Sequence, residues 1–246
     1  MEIREYDRMR TLEDHYWWYR SLHEFVGSRL GGAAMVLDVG CGTGGLLARL
    51  SGTRTVGVDL SPAALTHARR RGLQALTRAS TGALPFPDAS FDVVLALDLL
   101  YHRAVVDEKA ALAECRRVVR PGGRIMIHAA AYRWLYGSHD RAVHGARRYT
   151  ASTLRELVQA AGLEIVELSY RNALALSWAA VSRGFGKLRV RHGHNEAPPV
   201  SDLHVIPDWL NTLLRIAARA ENAWLGVGRL PMGLSVWCVA RRPAAG

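Results

Sequence analysis

The segment Val36–Gly45, with the sequence VLDVGCGTGG, constrains the fold more than any other part of this 246-residue chain. The apolar run at residues 34–39 is typical of a buried parallel strand, and it leads directly into a cluster of glycines. Glycine lets the backbone approach a ligand closely because it has no Cβ. Gly40, Gly42 and Gly45 also match the G-x-G-x-x-G spacing of dinucleotide-binding turns. The segment therefore predicts a strand that ends at a ligand-binding turn.

Strand and helix patterns alternate around this turn. Apolar runs predict strands at residues 34–39, 54–59, 73–77, 91–97 and 124–130, with helices between them at 44–51, 61–71 and 104–119 and a turn at 121–123. A helix at 150–161 precedes the last two predicted strands, at 163–168 and 234–240. This order predicts an α/β fold: a doubly wound, Rossmann-like and mostly parallel sheet, with an antiparallel last strand.

A long connection joins the last two predicted strands. It spans about 65 residues and contains helical patterns near 172–188 and 206–227. Such a connection is too long for a plain loop. We therefore expect a helical insertion at 170–230 that covers the substrate, a core made of 34–169 and 231–242, and an N-terminal aromatic helical cap at 1–33.

Two carboxylates accompany the glycine turn. Asp59 ends the second predicted strand, 17 residues after Gly42, where a carboxylate can accept hydrogen bonds from both hydroxyls of an adenosine ribose. NAD and S-adenosylmethionine both contain that ribose. Asp38 lies two residues before Gly40, where a carboxylate favours a cationic cofactor over a pyrophosphate. An NAD-dependent oxidoreductase and a non-catalytic cofactor-binding protein remain the alternatives at this point.

Four motifs follow one another along the first half of the chain. They are Val36–Gly44 (VLDVGCGTG), Gly57–Ser61 (GVDLS), Leu84–Asp92 (LPFPDASFD) and Arg117–Gly123 (RVVRPGG). In this order they resemble the successive motifs of class I S-adenosylmethionine-dependent methyltransferases that act on small molecules. The resemblance covers about residues 34–130 and implies methyl transfer from S-adenosylmethionine to a small-molecule acceptor, with S-adenosylhomocysteine as the other product.

The resemblance also implies a cofactor site. Asp38 would lie near the amino group of the methionine part, Asp59 would hold the ribose and the carbonyl of Leu97 would lie near the amino group. Where the family often has an acidic residue facing the adenine amino group, this chain has Ser80, which carries no charge. The implied cofactor residues in this core are Asp38, Gly40, Cys41, Gly42, Asp59, Leu60 (packing on adenine), Ser80, Thr81 and Leu97.

Four consecutive aromatic residues, at positions 16–19, precede the first strand. Aromatic faces attract cations, so a helix carrying them would suit a sulfonium cofactor if it closed over the site. We expect Tyr16 and Trp17 to contact the cofactor and Arg20 to pair with its carboxylate. The alternative is a helix whose aromatic rings pack on the domain with their polar tips in water.

Candidate acceptor-side residues follow the fourth and fifth strands, because ligands of such sheets bind at the carboxyl ends of the strands. A general base is needed only if the acceptor must lose a proton. The catalytic candidates are His102, Tyr149 and the neighbours His139 and Asp140, which form the best base-and-orienter pair by sequence. The substrate-binding candidates are His144, Arg147, Arg148 and Trp178. The alternative is that these loop histidines and arginines are simply solvated.

The charge of the chain is uneven. The net charge is +10, of which residues 1–123 carry +2 and residues 124–246 carry +8. A basic acceptor half is consistent with an anionic, partly apolar acceptor, and codon bias toward arginine is the alternative. The aromatic segment at residues 15–20 resembles the start of a methyltransferase subgroup associated with small-molecule and cell-surface biosynthesis, and this resemblance implies a role in specialised or cell-surface biosynthesis.

Several classes are disfavoured by the sequence. The fourth strand is followed by DLLY at residues 98–101, not by the Asn/Asp-Pro-Pro-aromatic motif common in methylation of nucleic-acid bases, so we expect no nucleic-acid partner. No metal-ligand spacing is visible. Three scattered cysteines and a charged N-terminus predict a cytoplasmic protein without stable membrane insertion, with peripheral membrane contact left open. We expect a monomer or a homodimer.

Overall fold

The computed structural model describes residues 3–176 and 205–244, and a seven-stranded sheet runs through its centre. The strands lie in the order β3-β2-β1-β4-β5-β7-β6, and all neighbours pair in parallel except at β7, which is antiparallel to both β5 and β6. The predicted α/β fold with an antiparallel last strand is confirmed. The strands are β1 (Met35–Val39), β2 (Arg54–Asp59), β3 (Leu76–Arg78), β4 (Phe91–Leu97), β5 (Val119–Ala130), β6 (Glu164–Arg171) and β7 (Ser235–Arg241).

Helices cover both faces of this sheet, and several begin at side chains that satisfy free backbone N–H groups. Ser61 caps the third helix by accepting from the N–H of Ala64, and Asp107 caps the fourth by accepting from Lys109 and Ala110. The helices that lie wholly within the described residues are α1 (Ile3–Leu12), α2 (Trp17–Arg29), α3 (Pro62–Arg70), α4 (Glu108–Val118), α5 (Ser138–Ala142), α6 (Ala151–Ala160) and α7 (Asp208–Trp224).

Local structure differs from the sequence prediction in three places. Residues 44–51 form only a short 3-10 turn, Leu47–Arg49, because Gly44 has a φ of +77° and cannot start a helix there. The helix predicted from residue 104 begins at Glu108, where Asp107 caps it. The turn predicted at 121–123 lies inside β5 as an irregularity, since the register between β4 and β5 shifts between Phe91 and Val93.

The face of the sheet beneath α2 carries large buried side chains. The rings of Phe25 and Trp237 meet edge to face, 4.9 Å apart, and Leu22, Val26 and Met126 are buried with them. Helix α7 lies against α2 and makes polar contacts with it, among them Arg219 with Glu24 and Asn222 with Ser21, and its buried residue is Ala218. The part of the insertion at 177–204, including Trp178, lies outside the described residues. No helix within the described ranges has the length and apolar character to cross a membrane.

Candidate active site

A large cavity opens at the carboxyl edge of the parallel strands. The described residues enclose a volume of about 1580 Å³, with walls from the glycine turn, the ends of β2 and β4, the helices α1 and α2, and α7. The end of β1 and the end of β4 mark the point where the strand order reverses, which is where open α/β sheets bind their ligands. The cavity therefore lies at the edge of the sheet where the sequence analysis expects the ligands to bind.

The glycine turn after β1 is held in a conformation that only glycine adopts easily. Gly40 has a φ of +82°, and a Cβ on it would lie 2.8 Å from the Leu99 side chain. The N–H groups of Gly40 and Cys41 both donate to the carbonyl of Val58, at 2.7 and 2.9 Å. The turn is thus folded back onto β2, and Gly40 and Gly42 line the cavity.

Asp59 joins the end of β2 to the glycine turn. Its carboxylate accepts hydrogen bonds from the N–H of Gly42, at 3.0 Å, and of Ser61, at 2.8 Å. Burial raises the pKa of Asp59, and these backbone donors oppose the shift. The neighbouring Leu60 is half exposed into the cavity and offers an apolar surface next to the carboxylate. This pair suits an adenosine, with the ribose on Asp59 and the base on Leu60.

Asp38 lies behind the turn. Its side chain is buried, and burial, together with the nearby carboxylates of Asp59 and Glu13, raises its pKa to about 7. A cationic group of a ligand near this carboxylate would stabilise its ionised form. Asp38 and Cys41 do not line the cavity, whereas Ser80, Thr81 and Leu97 do.

The N-terminal helices are fastened to the glycine turn by a buried acid that the sequence analysis did not single out. The Glu13 carboxylate occupies the space where a Cβ on Gly45 would be, and accepts hydrogen bonds from the Thr43 hydroxyl and from Arg71, the latter at 2.9 Å. Burial raises the pKa of Glu13. The cap and the turn therefore form one packed unit.

The aromatic segment lies partly where predicted. Tyr16 and Trp17 line the cavity, and the N–H of Trp17 donates to Asn211 of α7 at 2.8 Å. Arg20 departs from the prediction: its guanidinium points to Glu24, one helical turn along α2, at 3.4 Å, and it is not among the cavity-lining residues. The i,i+4 spacing of Arg20 and Glu24 is a helix ion-pair pattern that the sequence already contained.

The predicted acid–base residues reach the cavity with different partners from those expected. His102, His139 and Asp140 line it. Asp140, however, is buried in a two-point ion pair with Arg148, with nitrogen–oxygen distances of 2.8 and 3.0 Å, so its carboxylate is oriented by Arg148 and by the Gly137 N–H. Burial lowers the pKa of His102 to about 4, and its ring lies 5.9 Å from that of His144.

The two arginines that were predicted to grip a substrate have partners within the protein. Arg148 pairs with Asp140 and also donates to the carbonyl of Ala131 at 2.7 Å. Arg147 pairs with Glu108 at 3.0 Å and donates to the carbonyl of Val105 at 2.9 Å. Only Arg148 lines the cavity.

Tyr149 and His144 lie away from the cavity lining. Tyr149 is buried, and its hydroxyl donates to the carbonyl of Leu100 at 3.1 Å and contacts Glu108. The residue bridges to Ala131 at the end of β5, and this pairing turns its side chain into the core. The predicted catalytic tyrosine thus has a core environment instead of a wall position.

Further residues of the cavity wall were missed by the sequence analysis. Asp98 lies directly after β4, and its carboxylate contacts Nδ1 of the fully buried His128 at 3.0 Å. Further aromatic side chains in the wall are Trp18, Tyr19, Tyr101, Trp134 and Tyr136, and they stand among aliphatic and small residues. Over the stretch of chain that the structure describes, no group of three or more His, Cys, Asp or Glu side chains is placed to hold a metal ion.

Comparison with known proteins agrees with this geometry. A family model described as "Methyltransferase domain" matches residues 37–127. A protein of Mycolicibacterium smegmatis named "Probable S-adenosylmethionine-dependent methyltransferase" is 31% identical over 190 residues, which cover 74% of this chain and 69% of that protein. A demethylmenaquinone methyltransferase of Tropheryma whipplei is 37% identical over 131 residues, about half of each chain (50% and 53%).

The fold is shared with solved methyltransferases. The structure of a SAM-dependent methyltransferase from Thermotoga maritima superposes with a TM-score of 0.61 at 20% identity, covering 98% of this chain and 96% of that one. With the match to the Mycolicibacterium protein, the chain belongs to the class I S-adenosylmethionine-dependent methyltransferase family. It is an enzyme of this type, and its cofactor is S-adenosylmethionine.

Proposed function

We propose that this methyltransferase modifies a small molecule with an apolar, ring-containing body. The observation that carries the proposal is the group of aromatic side chains in the cavity wall, which includes Trp17, Trp18, Tyr19 and Trp134. The volume of about 1580 Å³ exceeds the roughly 300–1000 Å³ of a pocket for one drug-sized ligand, so it accommodates a cofactor and an acceptor side by side. The demethylmenaquinone methyltransferase among the relatives supports an acceptor of this kind.

The residues around the glycine turn fit the cofactor. The turn offers a surface that a Cβ on Gly40 would disturb, and Asp59 and Leu60 offer a carboxylate beside an open apolar side chain. We assign the ribose to Asp59, the adenine to Leu60 and the amino group to the region of Asp38 and the Leu97 carbonyl. When bound, the cofactor supplies an activated methyl group, so the protein's part is to orient the acceptor and exclude water from it.

The contacts of Arg147 and Arg148 weaken the case for an anionic acceptor. Arg147 and Arg148 are engaged by Glu108 and Asp140, so neither guanidinium is held for a ligand alone. We therefore propose recognition by shape and by aromatic contact. A role in specialised or cell-surface biosynthesis, and the division into an N-terminal cap (1–33), a core (34–169 and 231–242) and a substrate-covering insertion (170–230), remain predictions.

Calorimetric titration with S-adenosylhomocysteine tests the assigned cofactor site. We expect the protein to bind it and Asp59→Ala to bind about 10- to 100-fold more weakly, because hydrogen bonds to a charged group contribute about 1.5–3 kcal/mol. Asp88→Ala is the matched control, since Asp88 is an exposed carboxylate paired with Arg117. Failure of the folded protein to bind, or unchanged affinity in Asp59→Ala, would contradict the assignment.

A labelled-methyl transfer assay tests the acceptor class. One arm contains the small-molecule extract of the producing cell and the other contains its total tRNA, because a net charge of +10 also suits a polyanion. We expect the label in an apolar ring compound identified by mass. Label in the tRNA alone would replace the small-molecule proposal with a nucleic-acid one.

We further propose that the enzyme acts in the cytoplasm as a monomer or homodimer. The scattered buried cysteines support a reducing compartment. Cell fractionation and light scattering on the purified protein measure location and mass, and recovery in the membrane pellet or as a larger assembly would contradict the proposal.

A further inference from the structure

Asp98 is an acidic side chain in the cavity wall that the assignments above leave without a role. It lies immediately after β4, at the reversal point of the strand order, and its side chain is 34% exposed. The next residue, Leu99, packs so closely on Gly40 that a Cβ there would lie 2.8 Å from it. Asp98 therefore adjoins the glycine turn, on the side of the cavity where the cofactor's methionine part is assigned.

The orientation of Asp98 is imposed by the neighbouring strand. Its N–H donates to the carbonyl of His128 at 2.8 Å, and its carboxylate contacts His128 Nδ1 at 3.0 Å. Its φ of +51° is unusual for a residue with a side chain, and such strain is concentrated at functional sites. His128 is fully buried, so the imidazole itself is out of reach of a ligand.

The hydrogen bond defines the roles of the two groups. When the Asp98 carboxylate is ionised it only accepts hydrogen bonds, so His128 Nδ1 is then the donor of this contact. Nε2 of His128 is buried and has no hydrogen-bond partner among the described residues. The contact between His128 Nδ1 and Asp98 is thus the hydrogen bond of this imidazole among the described residues, and it orients the Asp98 carboxylate.

Other titratable groups surround Asp98 from each packed element. Tyr19 of α2, Tyr101 after β4 and Arg171 of β6 all interact electrostatically with it, and His128 belongs to β5. The two tyrosines are partly buried, and this burial is the main cause that raises their pKa values, so they remain neutral beside the carboxylate at ordinary pH. Among these groups, Asp98 presents a partly exposed carboxylate to the cavity.

We propose that Asp98 contacts the hydroxyl of the methyl acceptor as general base and that His128 is its positioning residue. The inference rests on the proposed small-molecule function. The acceptor O–H bond breaks, its proton goes to the Asp98 carboxylate, and the oxygen forms a bond to the cofactor's methyl carbon. The carbon–sulfur bond breaks with its electron pair going to sulfur, which leaves neutral S-adenosylhomocysteine and the methyl ether.

The test uses the full chain and labelled-methyl transfer into the small-molecule extract. We expect Asp98→Asn to lower kcat by about 10²–10⁴-fold, the usual contribution of a general base, with KM and S-adenosylhomocysteine affinity near wild type. The deficit should shrink with rising pH, as the acceptor hydroxyl ionises unaided. Asp88→Asn is the matched control. An unchanged kcat, or a deficit that does not vary with pH, would overturn the assignment.

His128 is tested by a pair of variants that separate hydrogen bonding from packing. His128→Asn keeps a donor near the Nδ1 position but loses volume, whereas His128→Phe keeps volume and loses the donor. If His128 acts by aiming Asp98, the Asn variant retains about 10- to 100-fold more activity than the Phe variant. The reverse order would show a packing role and overturn the proposal, and thermal midpoints of both variants show that they are folded.

Failure of the inference is distinguishable from failure of the proposed function. If the wild-type enzyme transfers no label to the small-molecule extract, the proposed function fails and the inference falls with it. If it does transfer label and Asp98→Asn matches it, the inference alone fails. If Asp98→Asn loses S-adenosylhomocysteine affinity, Asp98 serves the cofactor and the proposed base is wrong.

Discussion

The two sides of the cavity are built in different ways. The cofactor side is built from backbone groups and a few carboxylates: the turn at Gly40 and Gly42, and Asp59 at the end of β2. The acceptor side presents polar side chains that are already paired with each other, such as Arg148 with Asp140. A backbone cradle suits one constant ligand, whereas a wall of mutually satisfied side chains leaves selection to shape and aromatic contact.

The largest expected effect is on stability, and it comes from substituting the adjacent residues Arg147 and Arg148 one at a time. Arg148→Gln should cost about 3–5 kcal/mol of unfolding free energy, because it leaves the buried Asp140 carboxylate without its partner. Arg147→Gln should cost at most about 1 kcal/mol, because its pair with Glu108 is partly exposed. Denaturant unfolding measures both. If both variants lose little unfolding free energy and both raise the KM for the acceptor, the arginines bind the ligand. The contrast between the two sides of the cavity would then be wrong.

The cofactor side should be most sensitive to a single methyl group in its turn. Gly40→Ala forces a side chain into a left-handed conformation at about 1–2 kcal/mol and against Leu99, so we expect at least about tenfold weaker S-adenosylhomocysteine binding. Gly82→Ala is the control, because Gly82 has open space around its Cβ position and no positive φ. Titration calorimetry compares them, and equal affinities would mean that the ligand does not use this turn.

The buried carboxylate behind the turn gives a graded pH effect. Because the folded-state pKa of Asp38 is raised to about 7, the free protein holds a proton there below that pH, and the ammonium group of the ligand must displace it. Affinity for S-adenosylhomocysteine should therefore fall by up to about tenfold per pH unit below 7 and level off above it. Binding should release a proton, detected by calorimetry in buffers of different ionisation enthalpy.

Asp38→Asn sharpens that measurement. In the free protein, the raised pKa also means that stability falls as pH rises from about 4 toward 7, since the folded state holds the proton more tightly than the unfolded state. The variant should lose this slope and the proton release. Burial also raises the pKa of Asp59 and of Glu13, so a slope that persists in Asp38→Asn would assign it to those carboxylates.

Features carried by contiguous sequence were predictable. The seven strands, the glycine turn and Asp59 each follow from an apolar run, a residue type or a fixed spacing, and the structure has all of them. The helix expected at 44–51 failed because the same glycines that make the turn, with Gly44 at a φ of +77°, prevent helical geometry. The same glycine-rich segment predicted both a tight turn and the start of a helix, and only the turn is compatible with its backbone angles.

Features that depend on strand register or on loop paths were not predictable. Asp98 and His128 are 30 residues apart and meet only because Leu97 of β4 pairs with His128 of β5. Asp140 was expected to orient its neighbour His139, but the loop folds so that the Asp140 carboxylate pairs with Arg148, eight residues later in the chain. Burial decides which charges pair, and no spacing rule encodes burial in an irregular loop.

The packing of the Glu13 carboxylate against Gly45 has a consequence for how the chain responds to its ligand. The carboxylate accepts hydrogen bonds from Thr43 of the turn and from Arg71 at the end of α3, and Arg71 also donates to the Thr43 carbonyl at 2.9 Å. Because of these contacts, whatever stabilises the turn also stabilises the helices before it. By mass action, a ligand that binds only the ordered turn reduces the fraction of molecules in which α1 and α2 are detached. The rate of protease cleavage ahead of β1 then reports how much of the protein has cofactor bound, because cleavage is slow when the site is filled and faster when it is empty.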